Sequence, residues 1–379
     1  MSGRLAIEQL LADSPDQAKV KLFLESQRVP VVEGSSVTFL WQGQADGVSL
    51  RHWIYGLESS TSLIRVPNTD LWYLRLEIPH SSRVEYKYEI HQGGGSTWIE
   101  DPLNPNRARD PFGANSVLQG EGYEAPGWSN FDPTARPGAL EPFAFDSAAL
   151  GRRTGLLYFP ARFRRTRQYP LLVVHDGSDY LNYASMKIIL DNLIHRLEIP
   201  DLIVAFTDSP DRLREYANNQ AHARFLTEEL VPDLSKRLPL IDRAQARGLM
   251  GASFGAVAAF STAYRYPGFW GRLLLQSGSF AFTDIGKHNR RGPLFDGVVE
   301  FVNGYRADPK AVSERVFMSC GVYESLIYEN RTMLPLLSAT GMEVRLVEAR
   351  DGHNWENWRD RLREGLSWLF PGPLLFIYE

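Results

Sequence analysis

The hydrophobic pattern along the chain changes character near its middle. In the first half, apolar and polar residues alternate over short runs, which is typical of half-buried strands. The clearest runs are 37–41, 71–76 and 84–90, and each contains aromatic side chains. Short strands separated by turn-forming clusters over residues 36–123 indicate a β-sandwich. The charged residues 1–28 that precede them are predicted to be helical.

The second half alternates continuous apolar runs with longer helical stretches. Helices are predicted at 182–197, 219–237 and 255–266. Apolar strands are predicted at 171–175, 202–206, 248–251, 272–276, 315–320 and 343–347. This alternation is the signature of a parallel sheet flanked by helices, so we predict an α/β fold here.

The stretch between the two halves is punctuated by Pro, Gly and Asp, which favours a linker. The expected organisation is a helix plus β-sandwich domain over residues 1–125 and a linker over 126–145. An α/β domain follows over residues 146–379.

Composition narrows the classes of protein that the chain can be. The 379 residues are 44% hydrophobic and carry a net charge of −4, which describes a soluble protein with ample core. That charge argues against nucleic acid or an anionic membrane as a partner, and no apolar run is long enough to span a bilayer. The N-terminus lacks a hydrophobic signal core, so we expect a cytoplasmic protein. No histidine pair has metal-ligand spacing, and we expect neither a metal nor a cofactor.

Ser253 is the candidate nucleophile. It lies in Gly251-Ala252-Ser253-Phe254-Gly255, between a predicted strand and a predicted helix. A serine on such a tight turn has a strained backbone, and the glycines leave room where Cβ atoms would clash. The turn exposes the hydroxyl near a helix N-terminus, where N–H groups stabilise developing negative charge. The alternative is a Gly/Ser-rich helix start without chemistry.

His353 is the candidate base. A serine needs a base to take its proton, and in this architecture the chain order is Ser, acid, His. His353 follows the predicted strand 343–347 and precedes a helix that Asn354 would cap. The alternative is a histidine that only caps or packs.

Glu324 is the candidate acid. It follows the predicted strand 315–320 and lies between Ser253 and His353 in the required order. Asp351 and Asp284 are rivals, although Asp351 is so near His353 in sequence that it would reach around the ring with difficulty.

Two backbone amides are expected to form an oxyanion hole. One belongs to Phe254, the residue after the nucleophile. The other comes from the loop after the predicted strand 171–175, where Ser178, or alternatively Gly177, would donate. In the same loop, His175 either lines the floor of a pocket or is buried and hydrogen-bonded.

With these residues assembled, the chain resembles the enterochelin-esterase family, in the esterase D group of α/β-hydrolases. The resemblance covers nearly the whole chain. Its motifs are His175-Asp176-Gly177, Arg214-Glu215-Tyr216, Gly251-Ala252-Ser253-Phe254-Gly255, Gln276-Ser277-Gly278-Ser279-Phe280, Gly321 with Glu324, and Gly352-His353 with Trp355.

The resemblance implies an α/β-hydrolase fold preceded by an immunoglobulin-like β-sandwich, and a serine esterase without a cofactor. Its small-molecule substrate would be the trilactone of a catecholate siderophore, with or without bound iron. A ferric tris-catecholate is trianionic and suits a cationic, aromatic-rimmed cleft. Arg214 would then bind substrate, or else form an ion pair with a nearby acid. Trp355 would either pack beside His353 or line the rim.

Two other functions remain open on the sequence. One is a carboxylesterase for feruloyl or acetyl groups on carbohydrate or for another small molecule, with Trp41, Trp53 and Trp72 as sugar-binding aromatics. The other is a non-catalytic binding protein on a hydrolase fold. The ordered Ser253, Glu324 and His353 argue against the second.

Overall fold

A computed structural model describes residues 4–283 and 292–373. These residues divide into two compact units. The first contains the described residues up to Ala125 and two short segments from much later in the chain, Val322–Glu324 and Ala349–Asn354. The second contains the remainder, from Pro126 onward.

The first unit is built from short antiparallel strands. Helices α1 and α2 (Ala6–Ala12 and Gln17–Ser26) precede them. The strands are β1 Val31–Glu33, β2 Ser36–Gln42, β3 Gly47–His52, β4 Ser60–Ser62, β5 Ile64–Arg65, β6 Leu71–Glu77, β7 Arg83–Gln92, β8 Gly95–Ile99, β9 Arg107–Asp110 and β10 Gly113–Gln119. In the described part, one sheet has the order β1-β2-β6-β5, and another has the order β4-β3-β7-β10-β9 with β8 paired to β7.

Alternating side chains join these two sheets into one core. Val37, Phe39 and Trp41 of β2 pack in the same buried cluster as Tyr86 and Tyr88 of β7. The opposite face of β2 is also buried, because Leu40 packs with apolar residues of α1 and α2. The predicted alternation of residues 37–41 and 84–90 therefore corresponds to real strands.

The second unit centres on a mostly parallel sheet. Its order in the described part is β11-β12-β14-β13-β15-β16-β17-β18. The pairs from β14 through β17 are parallel, whereas β11 and β12 run antiparallel to their neighbours. The strands are β11 Ala139–Ser147, β12 Gly151–Phe159, β13 Leu171–His175, β14 Ile203–Thr207, β15 Arg247–Ala252, β16 Arg272–Gln276, β17 Arg315–Gly321 and β18 Glu343–Ala349.

Helices cover both faces of this sheet. They are α3 Gly177–Tyr183, α4 Met186–His195, α5 Arg212–Tyr216, α6 Gln220–Arg224, α7 Val231–Arg237, α8 Phe254–Arg265, α9 Asp296–Ala307, α10 Ile327–Ser338 and α11 Trp355–Leu369, with a π-helical turn at Phe225–Leu230 and 3₁₀ turns at Gly127–Ser129 and Ala244–Ala246. Within β13, Leu171 and Val173 face one core cluster, whereas Leu172 and Val174 face the other. A strand buried on both faces requires the continuous apolar run that the sequence has there.

Part of the predicted linker is a strand. Residues 139–145 fall within 126–145, yet they belong to β11, which pairs with β12 at the edge of the sheet. Pro142 lies within this strand. An edge strand tolerates proline because it has neighbours on one side only, which is why proline was a misleading linker signal here.

Candidate active site

Ser253 lies at the turn between β15 and α8, with a backbone that few residues adopt. Its φ is 57° and its ψ is −118°, a strained combination for a residue with a side chain. Neighbouring backbone holds this conformation. The Ser253 amide donates to the Gln276 carbonyl at 2.9 Å, and the Ser253 carbonyl accepts from the Ala256 amide at 3.2 Å.

The glycines on either side of Ser253 lie in closely packed surroundings. A Cβ atom on Gly251 would lie 2.4 Å from the backbone of Gly255, which no real structure allows. A Cβ atom on Gly255 would lie 3.3 Å from His175 Cβ. β15 and α8 can approach this closely only without a side chain at Gly251, whereas the space at Gly255 is tight.

The first backbone amides of α8 and a second serine lie beside Ser253. At any helix N-terminus the first amides have no intrahelical acceptor, and in α8 these are the amides of Phe254 and Gly255. The Ser253 and Ser279 Oγ atoms are 3.1 Å apart, and Ser279 is buried. Sequence reasoning noted the motif around Ser279 without giving this residue a role.

Glu324 and His353 form a hydrogen-bonded pair in the first unit. His353 Nδ1 donates to Glu324 Oε2 at 2.6 Å. The Glu324 side chain is 3% exposed and the His353 side chain is 37% exposed. Each follows the end of a sheet strand, β17 for Glu324 and β18 for His353. A carboxylate on Nδ1 fixes the ring tautomer and leaves Nε2 as the nitrogen that accepts a proton.

Asp351, a rival for the role of the acid, hydrogen-bonds to other groups. Its Oδ1 accepts from Arg83 at 3.2 Å, from the Gly352 amide at 2.7 Å and from the Asn354 side chain at 2.8 Å. Burial raises the pKa of Asp351 to about 6. The other rival acid, Asp284, lies outside the described residues.

The structure differs from the prediction for Ser178. Its amide donates to Asp208 Oδ1 at 3.0 Å, and its hydroxyl donates to the same carboxylate. Ser178 is the second residue of α3, so Asp208 satisfies a donor at the positive end of that helix. In this structure the amide that was predicted to donate to an oxyanion therefore donates to the Asp208 carboxylate.

The two aromatic residues predicted near substrate are packed in the interior. His175 is fully buried; its Nδ1 donates to the Met250 carbonyl at 2.9 Å, and its Nε2 lies 3.1 Å from His222 Nε2. Burial lowers the pKa of His175 to about 3. Trp355 is buried against Tyr180 and Trp358, with ring centroids 5.2 Å and 4.7 Å away. Both side chains are therefore placed as in the packing alternative that the sequence left open.

Arg214 is exposed, and its neighbour Arg212 makes the structural contacts. The Arg214 side chain is 79% exposed and lies 3.8 Å from Asp211. Arg212 Nε donates to both carboxylate oxygens of Asp176 at 2.9 Å, and Nη2 donates to the Ala252 carbonyl at 3.3 Å. Arg212 thus ties the loop after β13 to the residue before Ser253. Sequence reasoning missed this link.

Metal-binding clusters and membrane-spanning helices are absent from the described residues. Over residues 4–283 and 292–373, no cluster of three or more His, Cys, Asp or Glu side chains is arranged to hold a metal ion. Over the same ranges, no helix is long and apolar enough to cross a membrane.

One protein family matches the esterase region of the chain, and individual known proteins match most of its length. Residues 147–369 match the family described as "Putative esterase". The chain belongs to this family. The match includes Ser253, Glu324 and His353. Members hydrolyse esters, so the chain is an ester hydrolase.

Individual relatives match a larger part of the chain than the family does. The chain is 25% identical to an iron(III) enterobactin esterase of Dickeya dadantii, over 82% of this chain and 79% of that protein. It is 24% identical to one of Escherichia coli O6:H1, over 87% and 90% respectively. The crystal structure of an enterochelin esterase from Shigella flexneri has the same fold, with a TM-score of 0.71 at 21% identity, over 92% of this chain and 97% of that chain. The predicted resemblance is thereby confirmed.

Proposed function

We propose that this esterase hydrolyses the trilactone of a catecholate siderophore through an acyl-enzyme on Ser253. The observation that carries the mechanism is the strained turn of Ser253 between β15 and α8. The relatives named iron(III) enterobactin esterase support the substrate, because they match the N-terminal part of the chain as well as the esterase region. Any bound iron belongs to the substrate.

In the first half of the reaction, Ser253 Oγ attacks the ester carbonyl while His353 Nε2 takes the hydroxyl proton. Glu324 stabilises the resulting imidazolium through its hydrogen bond to Nδ1. The tetrahedral intermediate then collapses. The bond from carbon to the leaving alkoxide breaks, and the imidazolium gives that oxygen its proton.

In the second half, water attacks the acyl carbon while His353 Nε2 takes its proton, the bond from carbon to Ser253 Oγ breaks, and the imidazolium returns the proton to that oxygen as the acid leaves. The proposed oxyanion donors are the amides of Phe254 and Gly177. Gly177 replaces Ser178 because it is the first residue of α3, and a Cβ there would lie 2.5 Å from Phe206. Each such donor contributes about 3 kcal/mol in comparable enzymes.

We also propose that the two sheets of the first unit form an immunoglobulin-like domain. Two of the three tryptophans predicted as sugar-binding candidates are buried, which weakens a sugar-binding role. Trp41 and Trp72 are each 7% exposed, and of the three tryptophans considered only Trp53 is exposed. A carbohydrate ester is therefore the weaker candidate.

A substrate panel tests the proposal. Purified enzyme is assayed with a ferric catecholate trilactone, the iron-free trilactone, p-nitrophenyl butyrate and a feruloyl ester. We expect kcat/KM for a trilactone to exceed that for the others by at least about 100-fold, the effect of contacts worth roughly 3 kcal/mol in the transition state. Preference for the feruloyl ester would reject the siderophore and retain the ester chemistry.

A further inference from the structure

Strand β7 of the first unit begins at a residue that contacts the segment around His353. This residue is Arg83, which is 2% exposed. Its Nη1 donates to Asp351 Oδ1 at 3.2 Å and to Asn354 Oδ1 at 3.1 Å. These acceptors lie two residues before and one residue after His353, so one guanidinium holds both sides of the proposed base.

Backbone contacts reinforce this attachment. The Arg83 amide donates to the Arg350 carbonyl at 2.9 Å. In return, Arg350 Nη1 donates to the His80 carbonyl at 2.6 Å. The segment 349–354 is therefore fastened to the start of β7 by main chain as well as by side chain.

The segment around Glu324 is attached to the same part of the unit. The Tyr55 amide donates to the Tyr323 carbonyl at 2.7 Å, and the Tyr323 hydroxyl lies 2.6 Å from Ser82 Oγ. The Tyr323 amide donates to the Asp351 carbonyl at 3.1 Å. Glu324 directly follows Tyr323, which contacts Tyr55. His353 lies between Asp351 and Asn354, which both contact Arg83. Both members of the pair are therefore close in sequence to residues that contact the N-terminal part of the chain.

The charges in this attachment are deeply buried. Side-chain exposures are 3% for Arg83, 6% for Asp351 and 10% for Glu85, which also accepts from Arg83 at 3.0 Å. Buried ion clusters often stabilise a fold less than apolar packing of the same volume, and their best attested use is to fix one arrangement. The planar fork of arginine suits that use, since it donates in fixed directions.

We propose that Arg83 is a positioning residue for His353. The strands of the first unit would then contribute to ester hydrolysis by fixing the position of the base. This inference rests on the proposed role of His353 as the base. Arg83 acts through Asp351 and Asn354, which set the segment that carries the imidazole.

The test compares Arg83→Met and Arg83→Lys with Arg51→Met in the full-length enzyme. Arg51 is a matched control, because it pairs with Glu89 between β3 and β7 of the same sheet, and its Nε lies 2.6 Å from that carboxylate. The first readout is kcat and KM for p-nitrophenyl butyrate. The second is the far-downfield proton signal of the His353 Nδ1–H bond, assigned by its loss in His353→Ala.

We expect Arg83→Met to lower kcat by about 10- to 100-fold with little change in KM, since small misplacements of catalytic groups have effects of this size. The downfield signal should weaken or shift. Arg83→Lys should recover part of both readouts, and Arg51→Met should match the wild type. If Arg83→Met is folded and has wild-type kcat and signal, the inference is wrong.

Further variants keep the test decisive. If Arg83→Met fails to fold, Arg83→Lys and Asp351→Asn are judged by the same two readouts, and wild-type values in both would overturn the inference. His353→Ala and Ser253→Ala test the proposed function separately. Activity in those variants would reject both proposals, whereas their inactivity beside a normal Arg83→Met would reject only the positioning role.

Discussion

Glu324 Oε2 lies 2.6 Å from His353 Nδ1, although 29 residues separate the two along the chain. The carboxylate is almost completely buried, and the imidazole is partly exposed. A buried acceptor holds the ring in one orientation and leaves its other nitrogen for proton transfer. This pair is the geometric basis for assigning Glu324 and His353 to the proposed mechanism.

Removing the charge from Glu324 should reduce kcat strongly. Glu324→Gln keeps the size of the side chain but no longer stabilises an imidazolium, so we expect a loss of about 10²- to 10⁴-fold in kcat for p-nitrophenyl butyrate. Asp351→Asn is the matched comparison and should lose much less. A larger loss in Asp351→Asn than in Glu324→Gln would transfer the role of the acid to Asp351.

Gly251 should tolerate no side chain. In Gly251→Ala, the new Cβ would meet the Gly255 backbone at 2.4 Å and displace the turn that carries Ser253. We expect about a 100-fold loss of kcat/KM, or a protein that fails to fold. Gly304→Ala is the control, because this position lies inside α9 with nothing within 4 Å of the new atom. It should be neutral or stabilise the fold by about 0.5–1 kcal/mol in urea unfolding. A fully active Gly251→Ala would contradict the packing account.

The sequence predicted the central features of the second unit because they depend on local pattern. The continuous apolar runs became β13 and β14, and the Gly-Ser-Gly turn became the junction of β15 and α8. Glu324, which belongs to the first unit, follows the end of a strand along the chain, because β17 ends at Gly321.

Other features depend on contacts between distant residues, and the sequence did not predict them. The Asp208 carboxylate that occupies the Ser178 amide comes from another strand end, 30 residues away. Arg83 and Asp351 are 268 residues apart. No periodicity or local motif encodes such pairs, so the Asp208 contact of Ser178 and the role proposed for Arg83 were both missed for the same reason.

Buried His175 should make the fold sensitive to acid. Its pKa is lowered from 6.5 to about 3, mainly by burial and then by neighbouring His222. The unfolded chain therefore binds a proton below about pH 6.5 that the folded protein does not, and the free energy of unfolding should fall as the pH drops from 6.5 toward 3. Urea unfolding at a series of pH values measures this slope.

Two variants isolate the contribution of His175 to that slope. His175→Gln should have a shallower dependence on pH than the wild type, whatever its stability at pH 7. His195→Gln, which changes an exposed histidine of α4, should keep the wild-type slope. An unchanged slope in His175→Gln would show that this side chain does not titrate as described.

Arg212 should matter more for the rate than its neighbour Arg214. Arg212→Met releases Asp176 and the Ala252 carbonyl, so we expect about a tenfold loss of kcat for p-nitrophenyl butyrate through a looser turn. Arg214→Met changes an exposed side chain and should leave that kcat unchanged. A raised KM for the ferric trilactone in Arg214→Met alone would assign Arg214 to substrate binding. Equal effects of the two changes on kcat would refute the link.

The most direct test of the central claim is the hydrolysis rate of the preferred trilactone by Ser253→Ala. Ser367→Ala, at a serine of α11 whose hydroxyl donates to the Arg363 carbonyl of the same helix, is assayed beside it. We predict a loss of at least about 10³-fold in kcat for Ser253→Ala, with an unchanged Tm and a wild-type rate for Ser367→Ala. Hydrolysis by Ser253→Ala within tenfold of the wild-type rate would contradict the account.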